Sequence, residues 1–458
     1  MNQNKKEKVL NTFLDNSEFG SFQKFVLAIG FFVIVFSGYE LSVFGSIVPV
    51  VTKEWEISNT IIGFIGSSAM FGMMFGAIFL SFLADKVGLK KLLIVSIFIF
   101  NFFIILASFT SSGLMFGICR FMAGVGSGGA TPIVISLLNE YSPKKSKAKM
   151  VAVAITGNQV GGMLAPLVAL NVMPTLGWRP VLYFSFLPLI LIPVFIKIIP
   201  ESALWLQRNN KTEELDKILV KIDSNYEEKL EKIGSTIDDS IEKKPAKVSY
   251  LRLFTPRYFI GTVLITLMAI CGLMTINGVN VWLPQVMASN GYELGPSLIF
   301  SIVLNLGTLI GTLIWAVTID KIGYRVSLPI IYVIGSISLF GMGIKVNLIV
   351  LYLFVALIGA FAFAAHSLLN TFIAQYYPSE IRTTGVGFAN STGRIGGMLG
   401  PIVGGMLLTA NVSLTTWFFV FAIPGFVAAI SLVIINLQSK YFEKKEEIAT
   451  IVIQSEDS

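Results

Sequence analysis

Twelve apolar stretches of this chain are each long enough to cross a lipid bilayer. A membrane-spanning helix needs about 17–25 predominantly apolar residues, because the hydrocarbon core is roughly 30 Å thick. The stretches cover residues 25–51, 60–83, 92–110, 113–139, 150–172, 179–198, 258–287, 296–319, 326–344, 347–373, 385–409 and 414–437. They fall as six, a charged segment and six more. This arrangement predicts an all-α membrane protein with twelve transmembrane helices in two six-helix halves.

The composition excludes a soluble globular class. Hydrophobic residues make up 54% of the chain and charged residues 13%, where a soluble domain carries about 25% charged residues. The net charge of +7 does not indicate nucleic-acid binding, because the basic residues lie in short clusters between the apolar stretches. Cys119 and Cys271 both fall within apolar stretches, so neither a disulfide framework nor a thiolate metal site is indicated, and no metal or cofactor is expected.

The basic residues also predict the orientation, because loops rich in Lys and Arg stay in the cytoplasm. One side carries Lys5, Lys6, Lys8, Lys86, Lys90, Lys91, Lys144, Lys145, Lys147, Lys149, Lys321, Arg325, Arg382, Lys440, Lys444 and Lys445. The other side carries only Lys53, Arg179 and Lys345. We therefore expect a multi-pass protein of the cell (plasma or inner) membrane with both termini in the cytoplasm. Its predicted parts are a tail (1–24), a bundle (25–200), a cytoplasmic linker (201–256), a second bundle (257–437) and a tail (438–458).

The predicted linker carries apolar residues at helical spacing among Lys and Glu. Leu215, Ile218, Leu219 and Ile222 repeat every three or four positions, which favours one or two amphipathic surface helices. The segment either only connects the halves or also offers a site for a regulatory partner.

An internal repeat relates the two halves at a constant offset of 235 residues (284 − 49 for the first pair). The pairs are Pro49 and Pro284, Gly72 and Gly307, Gly76 and Gly311, Asp85-Lys86-x-Gly88 and Asp320-Lys321-x-Gly323, Pro143 and Pro378, and Gly161-Gly162-Met163-Leu164-x-Pro166 and Gly396-Gly397-Met398-Leu399-x-Pro401. The halves are therefore related and inserted in the same direction. Parallel repeats of this kind are typical of transporters whose halves rock about a central site.

Asp85 and its repeat partner Asp320 each stand three residues before a Gly in a tight cytoplasmic turn. A carboxylate there can lie at the positive N-terminal end of a neighbouring helix. Asp85 is predicted to cap the eleventh span and Asp320 the fifth, which would latch the cytoplasmic side shut. The alternative is that each Asp only lies in a polar turn.

The deepest charges in the spans are Glu40, Arg120 and Arg394, which the repeat does not share. Their counterparts are Thr275, Val355 and Gln159. At about 1.5 Å rise per residue, Glu40 and Arg120 lie within roughly 6 Å of a common depth in the first half. They are candidates for a buried pair in which loss of Arg120 from Glu40 would raise the affinity of Glu40 for a proton. A static bridge between the first and fourth spans is the alternative.

Arg394 lies about nine residues into the eleventh span, roughly 14 Å deep. A buried guanidinium keeps its proton and needs a compensating group. A substrate carboxylate would supply one; Glu40 or carbonyl groups across the cleft are the alternatives.

Neutral polar residues within the spans could together line a polar cavity, although each could also only bridge helices. They are Asn158, Gln159, Asn277, Asn280, Asn305 and Asn370. The sole histidine, His366, is interpreted as packed and neutral or as a proton carrier.

Several motifs resemble those of the major facilitator superfamily over essentially the whole chain. They are the loop 83–91, the run Arg120-x3-Gly124-x-Gly126-x-Gly128, the run Glu140-x2-Pro143-x3-Lys147, and the segment 200–206, Pro-Glu-Ser-Ala-Leu-Trp-Leu. The last three resemble the sugar-porter-related branch, in which an acid of a Gly-Tyr-acid motif pairs with the Arg of the fourth span for proton coupling. The matching residues here are Gly38-Tyr39-Glu40 and Arg120. The resemblance also implies a cytoplasmic gate formed by Asp85, Gly88, Lys90, Glu140, Asp320, Arg325 and Arg382.

Within that branch the chain looks most like the aromatic acid/proton symporters. It has Ser37-Gly38-Tyr39-Glu40, Trp282-Leu283-Pro284 and Gly393-Arg394-Ile395-Gly396 followed by Gly400-Pro401. Ser37 and Glu40 replace the two Asp residues of the family pattern. Sugar transporters would show paired Gln near Gly278 and Asn280, where this chain has Met274 and Thr275.

The resemblance and the charges together predict proton-coupled import of a small aromatic or related carboxylate by a monomer. Arg394, Tyr39, Asn158, Gln159, Asn277, Asn280, Trp282, Asn305 and His366 would form the substrate site, and Glu40 and Arg120 the coupling pair. The alternatives are a sugar or polyol symporter, a drug exporter and a nutrient sensor that binds without transport. An enzyme is not expected, since the sequence shows neither a Cys/His cluster nor a Gly-rich phosphate loop.

Overall fold

The computed structural model describes residues 3–236, 250–344, 346–378 and 380–456, with the backbone alone at residue 4 and from residue 439 onward. Its helices are α1 Gln3–Asp15, α2 Ser21–Trp55, α3 Asn59–Val87, α4 Leu89–Ser108, α5 Gly113–Tyr141, α6 Lys147–Leu176, α7 Arg179–Leu182, α8 Phe186–Ile190, α9 Ile192–Ile198, α10 Ala203–Arg208, α11 Thr212–Ile222, α12 Tyr226–Thr236, α13 Phe259–Ser289, α14 Leu294–Ile322, α15 Tyr324–Gly341, α16 Leu348–Leu357, α17 Ala364–Tyr376, α18 Arg382–Thr409 and α19 Leu414–Glu456. Linker residues 237–249, Lys345, and the side chains of Lys440, Lys444 and Lys445 lie outside the described part.

Eleven helical segments of the described chain are long and apolar enough to cross a membrane. They are α2 to α6, the segment Arg179–Ile198, α13 to α15, the segment Leu348–Tyr376 and Leu414–Gln438 of α19. The twelfth predicted span is α18, which is 28 residues long but less apolar, because it is rich in Gly and Thr and contains Arg394. The all-helical fold and the predicted spans are thus confirmed.

Two spans depart from regular α-helix. The segment Arg179–Ile198 is interrupted by a 3₁₀ turn at Tyr183–Ser185 and by a break between α8 and α9. The segment Leu348–Tyr376 contains a π-helical stretch, Ile358–Phe363, between α16 and α17. Pro188 and Pro193 account for the weak hydrogen bonding of the first, because proline lacks an N–H donor.

The chain divides into two compact units. The first comprises Met1–Ala246 with Glu293–Ile302, and the second comprises Lys247–Tyr292 with Val303–Ser458. Each contains a hydrophobic core of buried side chains from its own helices.

Glycines allow the helices of each unit to cross at the same repeat-related positions. A Cβ on Gly72 would lie 2.0 Å from the carbonyl oxygen of Phe121, and one on Gly307 would lie 2.4 Å from that of Ala356. Such contacts are far too short for a side chain, so only Gly permits the approach of α3 to α5 and of α14 to the segment after α16. The contacted residues are themselves 235 positions apart (356 − 121), so the sequence repeat is also a repeat of packing.

A second pair of crossings shows the same relation. A Cβ on Gly161 would lie 1.9 Å from the Val35 carbonyl oxygen, and one on Gly396 would lie 1.9 Å from that of Ile270. The first crossing joins α2 to α6 and the second joins α13 to α18. These two crossings fix the helices that carry Glu40 and Arg394.

The helices of the predicted linker pack onto the first unit together with the N-terminal helix. Leu215, Ile218 and Leu219 of α11 are buried, as their spacing predicts, in one cluster with Leu10 and Phe13 of α1. Arg208 of α10 also forms an ion pair with Glu7 of α1 at 2.8 Å. Residues 201–236 thus belong to the compact body of the first unit.

Candidate functional site

Glu40 lies in the middle of α2, and only 1% of its surface is exposed. Ser127 of α5 donates a hydrogen bond from its hydroxyl to Glu40 Oε2 at 3.2 Å. Within the described residues, Glu40 Oε1 has no hydrogen-bond partner. One carboxyl oxygen is therefore held in place, while the other could take a proton without loss of a hydrogen bond from the protein.

Arg120 of α5 is buried beside Glu40, with 2% of its surface exposed. Its guanidinium carbon lies 4.4 Å from the centroid of the Phe44 ring, and Phe44 follows Glu40 by about one turn of α2. The two charged groups act on each other electrostatically. Because an isolated charge is costly away from water, each makes the burial of the other tolerable. The structure thus brings Glu40 and Arg120 together as the depth argument predicts.

Sequence reasoning missed two members of this site, Ser127 and Phe44. Ser127 stands in the glycine-rich part of α5, where a small residue suggests only close packing. The available signal was spacing, since Ser127 follows Arg120 by about two turns and so shares its face. Phe44 shares a face of α2 with Glu40 for the same reason.

The other candidates in the first unit lie around the crossing of α2 and α6. Asn158 and Gln159 are half-buried on α6. A Cβ on Gly38 would lie 2.3 Å from the Asn158 carbonyl oxygen, so the two helix backbones touch beside Glu40. The Tyr39 hydroxyl donates to the Val181 carbonyl at 2.6 Å, and this bond ties α2 to the sixth span.

In the second unit, Trp282 is buried and connects α13 with α18. Its indole N–H donates to the Pro401 carbonyl at 2.7 Å, and a Cβ on Gly404 would lie 2.4 Å from its ring. Asn277 donates to the Leu273 carbonyl of its own helix at 3.0 Å. The remaining amides are Asn280, half-buried on α13, and Asn305, 7% exposed on α14.

Arg394 is half-buried on α18, next to the crossing with α13. Its neighbour Gly393 packs against Ala269, whose Cβ would be 3.1 Å from a Cβ on that glycine. The position of Arg394 is therefore set by backbone contact between the two helices.

His366 follows the π-helical stretch and packs against Gly272 of α13. A Cβ on Gly272 would lie 2.4 Å from His366 Nδ1, and this nitrogen has no hydrogen-bond partner within the described chain. The imidazole is half-buried. π-helical segments are frequent at functional sites.

At the end of the first unit where α3 turns into α4, Glu201 caps a helix. Its Oε1 accepts a hydrogen bond from the backbone N–H of Lys90, in the first turn of α4, at 2.9 Å. Gly88 has φ 111°, and a Cβ there would lie 2.4 Å from Glu201 Oε2. Gly88 is therefore required both by its backbone conformation and by the close carboxylate. Sequence reasoning placed Glu201 in a motif but did not predict this role.

Glu140 caps a second helix at the same end. Its carboxylate accepts hydrogen bonds from the Leu204 N–H at 2.9 Å and from the Ser202 hydroxyl at 2.8 Å, at the start of α10. Tyr141 donates from its hydroxyl to the Glu201 carbonyl oxygen. Carboxylates at helix N-termini are stabilised by the helix dipole. The predicted gate residues Gly88, Lys90 and Glu140 thus form one network inside the first unit.

The corresponding end of the second unit carries Asp320, Gly323, Arg325 and Arg382. Gly323 has φ 86°, like Gly88. Asn436 donates from its amide to the Arg325 carbonyl oxygen at 2.7 Å. Asp85 and Asp320 are both exposed at the ends of their units, and the predicted capping of the eleventh and fifth spans by these residues stays a prediction.

Within the described chain, no group of three or more His, Cys, Asp and Glu side chains could hold a metal ion. The buried polar groups of both units therefore offer charge and hydrogen bonds rather than metal ligands.

Comparison with known proteins places the chain in a family. The profile of the Major Facilitator Superfamily matches residues 30–344 and 297–452. The benzoate transport protein of Acinetobacter baylyi is 32% identical over 98% of this chain and 96% of its own length. The gentisate transporter of Corynebacterium glutamicum is 32% identical over 90% of this chain and 88% of its own length.

A solved structure shows the same fold. The crystal structure of a D-xylose-proton symporter matches with a TM-score of 0.71 at 18% identity, over 90% of this chain and 97% of that protein. At this identity the likeness concerns the fold alone. The named relatives are transporters rather than enzymes, which confirms that prediction. The chain therefore belongs to the Major Facilitator Superfamily, in the branch that contains these aromatic acid transporters.

Proposed function

We propose that this protein imports a small aromatic carboxylate together with protons by alternating access. The observation that carries the proposal is the buried Glu40, paired with Arg120 in a chain that is 32% identical to a benzoate and to a gentisate transporter. Charges within a membrane span are costly and are retained for function.

The proton step rests on the two oxygens of Glu40. Ser127 holds Oε2, and Oε1 has no hydrogen-bond partner within the described residues. Movement of α5 relative to α2 would change the distance between Arg120 and Glu40, and with it the preference of Glu40 for a proton. Arg120 would thus link a shift of helices to proton uptake.

The substrate step rests on Arg394, the deep guanidinium of the second unit. A planar guanidinium can bind a carboxylate through two parallel hydrogen bonds. In the same proposal, Asn158, Gln159, Asn277, Asn280, Asn305 and His366 contribute polar contacts. Tyr39 and Trp282 fix the helices that carry these groups.

The protein would act as a monomer in the cell membrane, with both termini and the linker in the cytoplasm. Asp85 and Asp320 would latch the cytoplasmic side by capping the eleventh and fifth spans. The distribution of Lys and Arg supports this orientation. Labelling of single cysteines introduced at Lys53 and Lys144 tests it: an impermeant reagent should reach only position 53 from outside.

The test of substrate class is thermal-shift binding of benzoate, gentisate and D-xylose to wild type, Arg394→Ala and Lys53→Ala. We expect the carboxylates to stabilise wild type and Lys53→Ala, which loses one exposed positive charge, but not Arg394→Ala. Stabilisation by D-xylose alone, equal in all three proteins, would overturn the carboxylate assignment and favour a sugar symporter.

The test of coupling is benzoate uptake into liposomes with an imposed pH gradient. Since benzoic acid also crosses lipid unaided, protein-free liposomes provide the baseline. Uptake that ignores the gradient, although binding is intact, would contradict proton symport. Binding without any flux would indicate a sensor.

A further inference from the structure

A large cavity opens at one end of the second unit, away from the residues proposed to bind substrate. Its volume is about 820 Å³. The walls come from the segment before α13, the turn from α14 to α15, the end of α17, the start of α18 and α19. Polar lining residues include Arg257, Arg325, Arg382, Gln375 and Asn436. By the distribution of basic residues, this end faces the cytoplasm.

Three exposed arginines on three separate segments face this cavity. Arg257 precedes α13, Arg325 lies in the first turn of α15, and Arg382 begins α18. Within the described residues, the lining of the cavity contains no Asp or Glu. The acidic groups nearby are Asp320, which acts electrostatically on Tyr324 of the wall, and Glu380, which pairs with Arg252 at 3.6 Å. Three guanidiniums around one cavity create a positive potential that favours an anion.

Packed tyrosines give the cavity a defined wall. Tyr258 lies 6.0 Å from Tyr377 between ring centroids, and the Tyr377 hydroxyl shares a 2.8 Å hydrogen bond with Thr262. The guanidinium carbon of Arg257 lies 5.7 Å from the Tyr258 ring. This stacking orients Arg257 before any ligand binds.

The first unit shows that the shared scaffold does not demand this positive charge. Its cavity at the equivalent end has a volume of about 400 Å³ and is lined by Asp15, Asp85, Glu140, Lys147 and Arg208 among others. Its charges are mixed, and Lys147 pairs with Asp15 at 3.2 Å.

Two carboxylates of the first unit are replaced by amides in the second. At the offset of 235 residues, Glu140 corresponds to Gln375 and Glu201 to Asn436. The contact is equivalent as well, since Glu201 binds the backbone of Lys90 and Asn436 binds that of Arg325. The second unit thus keeps the geometry and loses the negative charge.

We propose that this cavity binds the phosphate group of an anionic phospholipid. Guanidiniums bind phosphate oxygens through paired hydrogen bonds, and basic pockets at the cytoplasmic face are suited to lipid headgroups. A lipid fits better than a free anion because Ile322 and Val326, 55% and 53% exposed, line the same cavity. Its mouth therefore continues onto an apolar surface that acyl chains can cover.

The experiment compares the purified protein with a variant in which Arg257, Arg325 and Arg382 are each changed to Gln. A control variant changes Lys144, Lys145 and Lys149, exposed lysines of the first unit, to Gln and so has the same net charge. Phosphatidylglycerol, phosphatidylcholine or inorganic phosphate is added in detergent. Thermal unfolding and native mass spectrometry measure stabilisation and bound lipid.

We expect phosphatidylglycerol to raise the Tm of wild type and of the lysine variant by several degrees, and to be retained on both in the mass spectrum. The arginine variant should lose both effects. Equal stabilisation of the two variants by phosphatidylglycerol would overturn the site. Stabilisation of wild type by inorganic phosphate without any effect of phosphatidylglycerol would overturn the lipid as its ligand.

Gln375→Glu tests the same site without removing an arginine. It places in the second unit the carboxylate that the first unit has at Glu140, so the fold should tolerate it. We expect about a tenfold loss of apparent affinity for phosphatidylglycerol, since a like charge faces the phosphate. Unchanged affinity in this variant would contradict the proposal even if the triple arginine variant failed to fold.

Discussion

Glu40 of α2 and Thr275 of α13 occupy equivalent positions in the two units, 235 residues apart, and both are buried. The Thr275 hydroxyl donates to the Phe421 carbonyl at 3.3 Å, whereas Glu40 faces Ser127 and the field of Arg120. The scaffold is therefore stable with a neutral residue at this position. A charge that folding does not require, and that burial makes costly, is best explained by function.

The strongest way to break this comparison is Glu40→Gln. The amide keeps the shape and the hydrogen bond from Ser127 but cannot take up a proton, so uptake driven by a pH gradient should fall by more than about tenfold. Exchange of labelled for unlabelled benzoate needs no net proton transfer and should persist. Thr275→Val is the matched change in the second unit and should leave gradient-driven uptake near wild type.

Two results would contradict that assignment. Glu40→Gln liposomes that still accumulate benzoate in response to a pH gradient would exclude Glu40 as the proton carrier. Loss of both uptake and exchange, with an unchanged Tm, would assign Glu40 to substrate binding instead.

The next prediction concerns what the two units share. Gly161→Ala and Gly396→Ala each place a methyl group 1.9 Å from a carbonyl oxygen of the crossing helix. Forced separation of the helices should destabilise each variant by about 1–3 kcal/mol, with similar drops in Tm. Gly387→Ala on α18 is the control, since nothing lies within 4 Å of its Cβ position, and it should not lower the Tm. A large drop for one crossing glycine and none for the other would show that the packing of the units is not equivalent.

Much of the shared scaffold can be predicted from sequence, because the repeat is carried by glycines whose loss the packing forbids. Gly72, Gly161 and their partners stand at crossings where a Cβ would meet a backbone oxygen. Such positions leave a constant spacing in the sequence. The meeting of Glu40 and Arg120 is also predictable, because two opposite charges buried at one depth have few other ways to be compensated.

The remaining details depend on partners that residue type does not reveal. Tyr39 and Trp282 have the composition of ligand-contacting residues, yet their polar atoms bond to the Val181 and Pro401 carbonyls. The π-helical stretch at Ile358–Phe363 has an ordinary apolar sequence. Glu201 stands in a loop motif, and its role as a helix cap follows only from the fold of residues more than a hundred positions away.

A smaller effect is expected where carboxylate and amide replace each other at the unit ends. Glu201→Ala removes a carboxylate from the positive end of α4 and should lower the free energy of unfolding by about 1–2 kcal/mol. Asn436→Ala removes one neutral hydrogen bond and should lower it by about 0.5–1.5 kcal/mol. Chemical denaturation in detergent measures both. A greater loss for Asn436→Ala would mean that the carboxylate does not stabilise the first unit through the helix dipole.

The smallest predicted effect separates charge from packing in the N-terminal helix. The pair of Glu7 and Arg208 is charge-assisted, and its hydrogen bond raises the pKa of Arg208, but Arg208 is largely exposed, so solvent screens the pair. Arg208→Gln should therefore lower stability by no more than about 0.2–1 kcal/mol. Leu10→Ala removes a side chain that is 1% exposed and should cost about 2–5 kcal/mol. Protease protection of α1 follows the same order if apolar contact holds this helix on the first unit. Release of α1 by Arg208→Gln in low salt would instead assign its docking to the ion pair, and would leave the second unit, which has no counterpart to α1 ahead of α13 in the described residues, as the simpler of the two bundles.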